Sequence, residues 1–189
     1  KFDVEYSRES ILAGVRNRYV KEMEGKEISD DLLPGFELIK NWNLRADSLN
    51  TSAALSILTL PNAFKPENLK YDRDSITVKL GENMSYLKKQ YGRIDVPLGR
   101  VVRLVRGATS LPLSGGPGTL RAIYSKKGGK NYKAVAGDCY IQAVEWGPEG
   151  QLNAWSIHQY GSSTMDKTSP HFDDQSKYFS KHELKVIRP

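Results

Sequence analysis

A single cysteine, Cys139, stands in 189 residues, which excludes an internal disulfide and any cysteine-only zinc cluster. Long apolar runs are missing too. The longest candidate, Ala53-Ala54-Leu55-Ser56-Ile57-Leu58-Thr59-Leu60, is broken by hydroxyl residues and falls far short of the roughly 20 residues a spanning helix needs. Histidine is scarce, and His158, His171 and His182 include no i, i+4 pair of the kind that holds zinc on a helix. No Gly-x-Ser-x-Gly elbow occurs, and no run of alternating oxygen ligands around a glycine makes a calcium loop. The chain begins at Lys1 with neither an initiator methionine nor a charged-then-apolar leader, so the gene product is expected to start elsewhere.

What is present describes a folded, soluble domain. Hydrophobic residues make up 39% and charged residues 26%, with ten tyrosines, and a chain of this length buries about two thirds of its unfolded surface. No linker or repeat divides it, so residues 1–189 read as one unit, 1–91 mainly helical and 92–189 mainly strands and loops. The 28 Lys and Arg against 22 Asp and Glu give +6. The positive residues are scattered, with local clusters at 100–106 and 126–130 and no accompanying nucleic-acid motif, so neither a nucleic acid nor a membrane is an expected partner. The lysines beside Gly128 and Gly129 read as a solvated turn.

Apolar spacing predicts a helix capped by Ser7 or Ser10 and carrying Ile11, Leu12, Val15, Tyr19, Val20 and Met23, ended by Gly25. A short helix is expected over 36–42 after Pro34-Gly35. A third follows Asn50 with Ala53, Ala54, Ile57 and Leu58, and stops at Pro61. After a loop over 61–68, Asp74 is expected to cap a helix with Ile76, Leu80, Met84, Leu87 and Tyr91 on one side, with Gly81 weakening it by about 1 kcal/mol. Strands are predicted over 119–125, 132–136, 138–146 and 152–160. The first two form one hairpin through 126–131. The last two form another around Gly147-Pro148-Glu149-Gly150, with Tyr140, Gln142, Val144 and Trp146 on one face and Cys139, Ile141 and Ala143 on the other. Helices followed by antiparallel strands make an α+β fold.

Two stretches invite chemistry. Thr168-Ser169-Pro170-His171-Phe172-Asp173-Asp174-Gln175 offers a serine, a histidine and two carboxylates, as a triad or half a metal site would. A histidine between a proline and two aspartates more often bonds nearby backbone in a turn, and no second ligand cluster completes a metal shell. The run Leu111-Pro112-Leu113-Ser114-Gly115-Gly116-Pro117-Gly118-Thr119-Leu120, near Arg100, Arg103, Arg106 and Arg121, suggests a phosphate cradle. It opens onto a strand-like run without the lysine and spacing of a phosphate loop, and reads as a tight connection.

Several segments, in order, resemble the penicillin-acylase family of N-terminal-nucleophile hydrolases, in its acyl-homoserine-lactone and aculeacin acylase branch. They are Leu38-Ile39-Lys40-Asn41-Trp42 with Ser52-Ala53-Ala54; Leu98-Gly99-Arg100-Val101-Val102-Arg103; Leu111-Pro112-Leu113-Ser114-Gly115-Gly116 with Thr119-Leu120-Arg121-Ala122; Gly137-Asp138-Cys139-Tyr140-Ile141-Gln142; and Ser169-Pro170-His171-Phe172-Asp173-Asp174-Gln175. Asn43, Cys139 and Phe172 depart from the family's usual aspartate, serine and tyrosine.

The resemblance implies that this chain is the carboxyl-terminal part of a large chain in a four-layer αββα fold. It also implies a catalytic serine at the amino terminus of that large chain, upstream of these motifs, using its own α-amine as base. The family's oxyanion asparagine likewise precedes the Trp42 region. Expected are no catalytic residue, cofactor or metal ligand within the chain, and signature residues of structural role: Trp42, Arg103, Gly115, Gly116, Asp138, Ser169, Pro170, His171, Asp173, Asp174 and Gln175. The expected partners are the upstream portion of the precursor and an acylated small molecule, and the implied location is the periplasm or beyond. The rival reading is a stand-alone binding module contacting an anionic polymer through Arg100, Arg103 and Arg106. A self-contained hydrolase using His171 is the third.

Overall fold

A computed structural model describes residues 11–62 and 70–188. Four helices come first. Helix α1 (Ile11–Met23) buries Leu12, Val15, Tyr19 and Met23, spaced by three and four residues as the periodicity required. Ser7, Ser10 and most of the loop over 61–68 lie outside the described residues. Helix α2 (Leu33–Lys40) starts earlier than expected, because Pro34 occupies its first turn, where no intrahelical N–H is needed. It also ends at Lys40, before Trp42. Helix α3 (Ala53–Thr59) is buried nearly all round, not on one face, and Asn50 Oδ1 accepts the Ser52 and Ala53 N–H groups at its entry.

Helix α4 (Arg73–Tyr91) corrects the expected cap. Asp72, in extended conformation, accepts the Ser75 N–H at 3.2 Å, while Asp74 lies inside the first turn. Ile76, Leu80, Met84 and Leu87 form the buried stripe, and Gly92 ends the helix in the left-handed conformation with Lys88 and Lys89 in the last turn.

Beyond α4 the architecture changes to sheet. A single turn, α5 (Leu98–Val101), leads into β1 (Val102–Arg106) and β2 (Thr109–Pro112), two strands absent from the sequence-based expectation. Strands β3 (Ile123–Gly128) and β4 (Asn131–Gly137) complete a sheet of order β2-β1-β4-β3. The β3 strand begins four residues later than predicted because residues 119–121 curl back on Gly116, and the predicted 126–131 connection narrows to a turn at Gly129 and Lys130. All pairings in this sheet are antiparallel except β1 with β4, which runs parallel through Val102↔Tyr132 and Arg103↔Lys133.

Strands β5 (Tyr140–Trp146), β6 (Leu152–His158) and β7 (Lys185–Val186) form a second, antiparallel sheet, preceded at its last strand by α6 (Ser176–Lys181). The β5–β6 register holds from Tyr140↔His158 to Trp146↔Leu152. The chain is therefore α+β, helices then mostly antiparallel strands, consistent with the expected part of an N-terminal-nucleophile hydrolase fold. One core joins the halves: Tyr19, Ile39, Trp42, Leu55, Leu80 and Leu87 from the helices meet Val102, Leu104, Ile123, Ile157 and Phe179. Each such side chain contributes about 1.5–3 kcal/mol by leaving water.

Candidate functional site

Two connections carry most of the singled-out residues. In the first, the buried Trp42 donates Nε1–H to Arg45 O at 2.9 Å and so fixes residues 42–46. Ala46 O then accepts the Gly115 N–H at 2.6 Å, and the Ser48 N–H donates to Ser114 Oγ at 2.8 Å. Gly115 has φ +110°, and an added Cβ would lie 2.4 Å from Arg121 O, so only glycine fits. Gly116 N–H donates to Arg121 O, and its carbonyl accepts Ile123 N–H. The glycine amides thus bind protein carbonyls, tying the helical half to the start of β3; they do not line an anion cradle.

The second connection is the 168–175 motif. Ser169 Oγ accepts the His171 backbone N–H at 3.1 Å, and His171 O accepts Ser163 N–H at 3.0 Å. The imidazole, 63% exposed, has Nδ1 3.1 Å from Asp174 Oδ2. Thr109, at the β1–β2 turn, donates its hydroxyl to Asp173, while Phe172 lies under the Arg106 guanidinium at 4.0 Å. Gln175 reaches the other sheet: its N–H donates to Tyr160 O at 2.7 Å, and its Oε1 accepts His158 N–H at 3.1 Å. Gly161 makes room for the loop, since a Cβ there would lie 2.0 Å from His171 O. The motif is a clasp between the β1–β2 turn and β6, with its serine, histidine and aspartates engaged mainly with backbone and with one another.

Between the two sheets lies a cleft of about 360 Å³, lined by apolar residues such as Leu104, Ile123, Ala134 and Phe179, with Asp138, Cys139 and Tyr160 also on its wall. Burial raises the Asp138 carboxyl above its ordinary value, against the opposing pull of the Arg121 guanidinium and a bond from Ala122. Arg121 is itself buried, stacked 3.8 Å over the Phe179 ring and bonded to Phe179 O. Behind it His182, in left-handed conformation, has its pKa lowered to about 4, first by burial and then by Arg121. The cleft, with the Asp138 carboxyl on its wall, can hold a partly apolar group; among the described residues no cluster of three or more His, Cys, Asp or Glu could hold a metal ion.

The signature residues thus fall into separate places. Ser169 to Gln175 form the clasp, Gly115 and Gly116 meet the segment anchored by Trp42, and Asp138 lines the cleft. Arg103 stands apart: it clips β1 to β2 by donating to Gly99 O at 2.8 Å and to Ser110 O at 2.6 Å. Arg106 is likewise engaged, with Thr164 O at 2.6 Å and the Phe172 and Tyr160 rings, so of the three arginines offered as polymer contacts only Arg100 is exposed. Arg121, Gly161 and His182 carry roles that the sequence did not announce: Gly161 meets His171 ten residues on, and Arg121 meets Phe179 across 58 residues. Compared with known families, residues 1–188 match the family model described as Penicillin amidase.

Proposed function

Because the chain belongs to the penicillin amidase family, a family of acylase-type amidohydrolases, we propose that it is the carboxyl-terminal portion of an enzyme cleaving the linear amide bond of an N-acylated small molecule. The acyl-homoserine-lactone, β-lactam and lipopeptide classes all carry such a bond. In this reading the nucleophile is the amino-terminal serine of an upstream segment. Its α-amine, titrating near pH 8, takes the hydroxyl proton; the hydroxyl oxygen attacks the carbonyl, the amine departs, and water releases the acyl group. Donors facing the oxyanion supply about 3–4 kcal/mol apiece. The chain alone is inactive and works outside the cytoplasm with its upstream partner.

The observation that carries this reading is the family match over 1–188, and the geometry of the clasp supports it. Ser169 Oγ accepts a backbone N–H from its own motif, which suits a brace better than a nucleophile. The outer edge of β5 and the exposed Trp146 and Leu152 offer backbone and apolar surface for the upstream portion to cover. Mass spectrometry of the native gene product is expected to find a companion chain beginning with serine. Amide hydrolysis by residues 1–189 alone would overturn the proposal. Light scattering of the isolated chain is expected to show a dimer, and a clean monomer would remove the edge argument.

A further inference from the structure

From Val96 to Gly137 the chain carries eight Lys and Arg residues and no Asp or Glu. The whole chain's +6 is therefore +8 in this segment and −2 elsewhere. The segment builds the entire four-stranded sheet, and the register shows what the sequence alone did not. Arg103 on β1 stands opposite Lys133 on β4, and Lys133 stands opposite Lys126 on β3. Three cations lie in a row across three neighbouring strands, about 4.8 Å apart per strand. Like charges directly opposite one another repel. Lys126 and Lys133 are exposed, and among the described residues neither has an ion-pair partner. Gly128 keeps the row open: a Cβ there would come within 2.8 Å of the Lys133 stem.

The end of the β3–β4 hairpin adds to the charge. Lys127 Nζ lies 4.8 Å from the Tyr86 ring and Lys130 Nζ 5.2 Å from the Tyr91 ring, both lysines exposed. The tyrosine hydroxyls donate to Lys130 O, which holds the hairpin end against α4. What the sequence presented as a solvated turn places Lys127 and Lys130 on the α4 side of the hairpin end, while Arg103, Lys133 and Lys126 share the other side of the sheet, all within a segment that carries no Asp or Glu.

We propose that this segment binds a linear acidic polysaccharide, a partner separate from the acylated substrate. The nearby rings of Tyr86, Tyr91 and Tyr132 pack edge to face on one another and are half-buried, so they are poor platforms for stacking bases. The exposed charges are lysine ammonium groups, point charges suited to single carboxylates or sulfates spaced along a chain. Affinity then comes from several such contacts and falls with salt.

Heparin is the probe, titrated against the full-length protein that carries this chain at a series of NaCl concentrations. Lys126→Gln/Lys127→Gln/Lys133→Gln is expected to bind about tenfold more weakly and to lower the salt slope by about two to three, with thermal unfolding unchanged or raised. The charge-matched control Lys21→Gln/Lys26→Gln/Lys167→Gln is expected to stay within about twofold of wild type. Should the triple variant fail to fold, Lys126→Gln alone is expected to weaken binding by about two- to threefold. An equal loss in the control, unchanged affinity in the row variant, or no heparin binding by wild type would each overturn the proposal. So would tighter binding to duplex DNA or to phosphatidylserine vesicles than to heparin.

Discussion

Helix α4 and the β5–β6 hairpin are both regular, well-paired elements, yet they treat their apolar residues in opposite ways. In α4, Ile76, Leu80, Met84 and Leu87 are all buried. In the hairpin only Ile157 of fourteen strand residues is buried, while Trp146 is 72% and Leu152 62% exposed. The helices close a core that they share with the strands of the first sheet; the second sheet has formed its ladder without covering its faces. Scattered exposed apolar residues are ordinary, but a tryptophan paired with a leucine on an open sheet face marks a surface fit for a neighbour. The molecule therefore has a closed part, the helices packed with the first sheet, and an open part, the β5–β6 hairpin, which suits a portion of a larger amidohydrolase.

The comparison breaks first where the core is densest. Leu80→Ala is expected to cost about 2–5 kcal/mol in urea titration, since Leu80 is fully enclosed between α2 and α4. A loss under about 1 kcal/mol would mean that the closed part is not tightly packed around Leu80.

The end of α6 beside Arg121 responds to pH. Burial holds His182 at about 4 in the fold, against roughly 6.5 when unfolded. The unfolded chain takes the proton first, so this stability is complete above about pH 6.5 and is lost as pH falls toward 4. Thermal midpoints measured from pH 7 to 4 are expected to fall less steeply in His182→Gln than in wild type. Parallel curves would place His182 in water.

A smaller effect sharpens the role of the clasp. His171→Ala is expected to cost about 0.5–1.5 kcal/mol, because its imidazole is mostly exposed and makes one bond to Asp174. In the assembled enzyme, activity is expected to fall only with that stability. A variant of normal stability and no turnover would return His171 to the chemistry.

The smallest intrinsic effect belongs to Trp146→Ser, expected within about 0.5 kcal/mol in the isolated chain. Its consequence lies in assembly: pull-down with the upstream portion is expected to weaken. Undiminished assembly would show that this face stays in water.

Much of the helical half was legible because burial follows a 3.6-residue period that side chains announce locally, as in Leu12, Val15 and Tyr19. The cap of α4 was read as Asp74, whereas the extended backbone at Asp72, two residues earlier, makes that residue the cap. Strand β1 went unread because Val-Arg-Leu-Val-Arg presents its charge more loudly than its alternation, although Arg103 points its charge along the strand pair and Arg106 onto Phe172. The parallel β1–β4 pairing, and with it the cation row, depends on contacts across 30 residues and leaves no local trace. The glycine turn and the 168–175 clasp were visible as tight connections. Their partners, Ala46 and Thr109, were not, since each lies more than 60 residues away.

The central claim is that this chain frames an amidase whose nucleophile resides on another segment. Labelling the active native enzyme with a serine-reactive sulfonyl fluoride, followed by mass spectrometry of the separated chains, tests it most directly. The adduct is expected on the amino-terminal serine of a companion chain, with residues 1–189 unmodified. An adduct on Ser169, or on any residue of this chain, accompanied by loss of activity would contradict it.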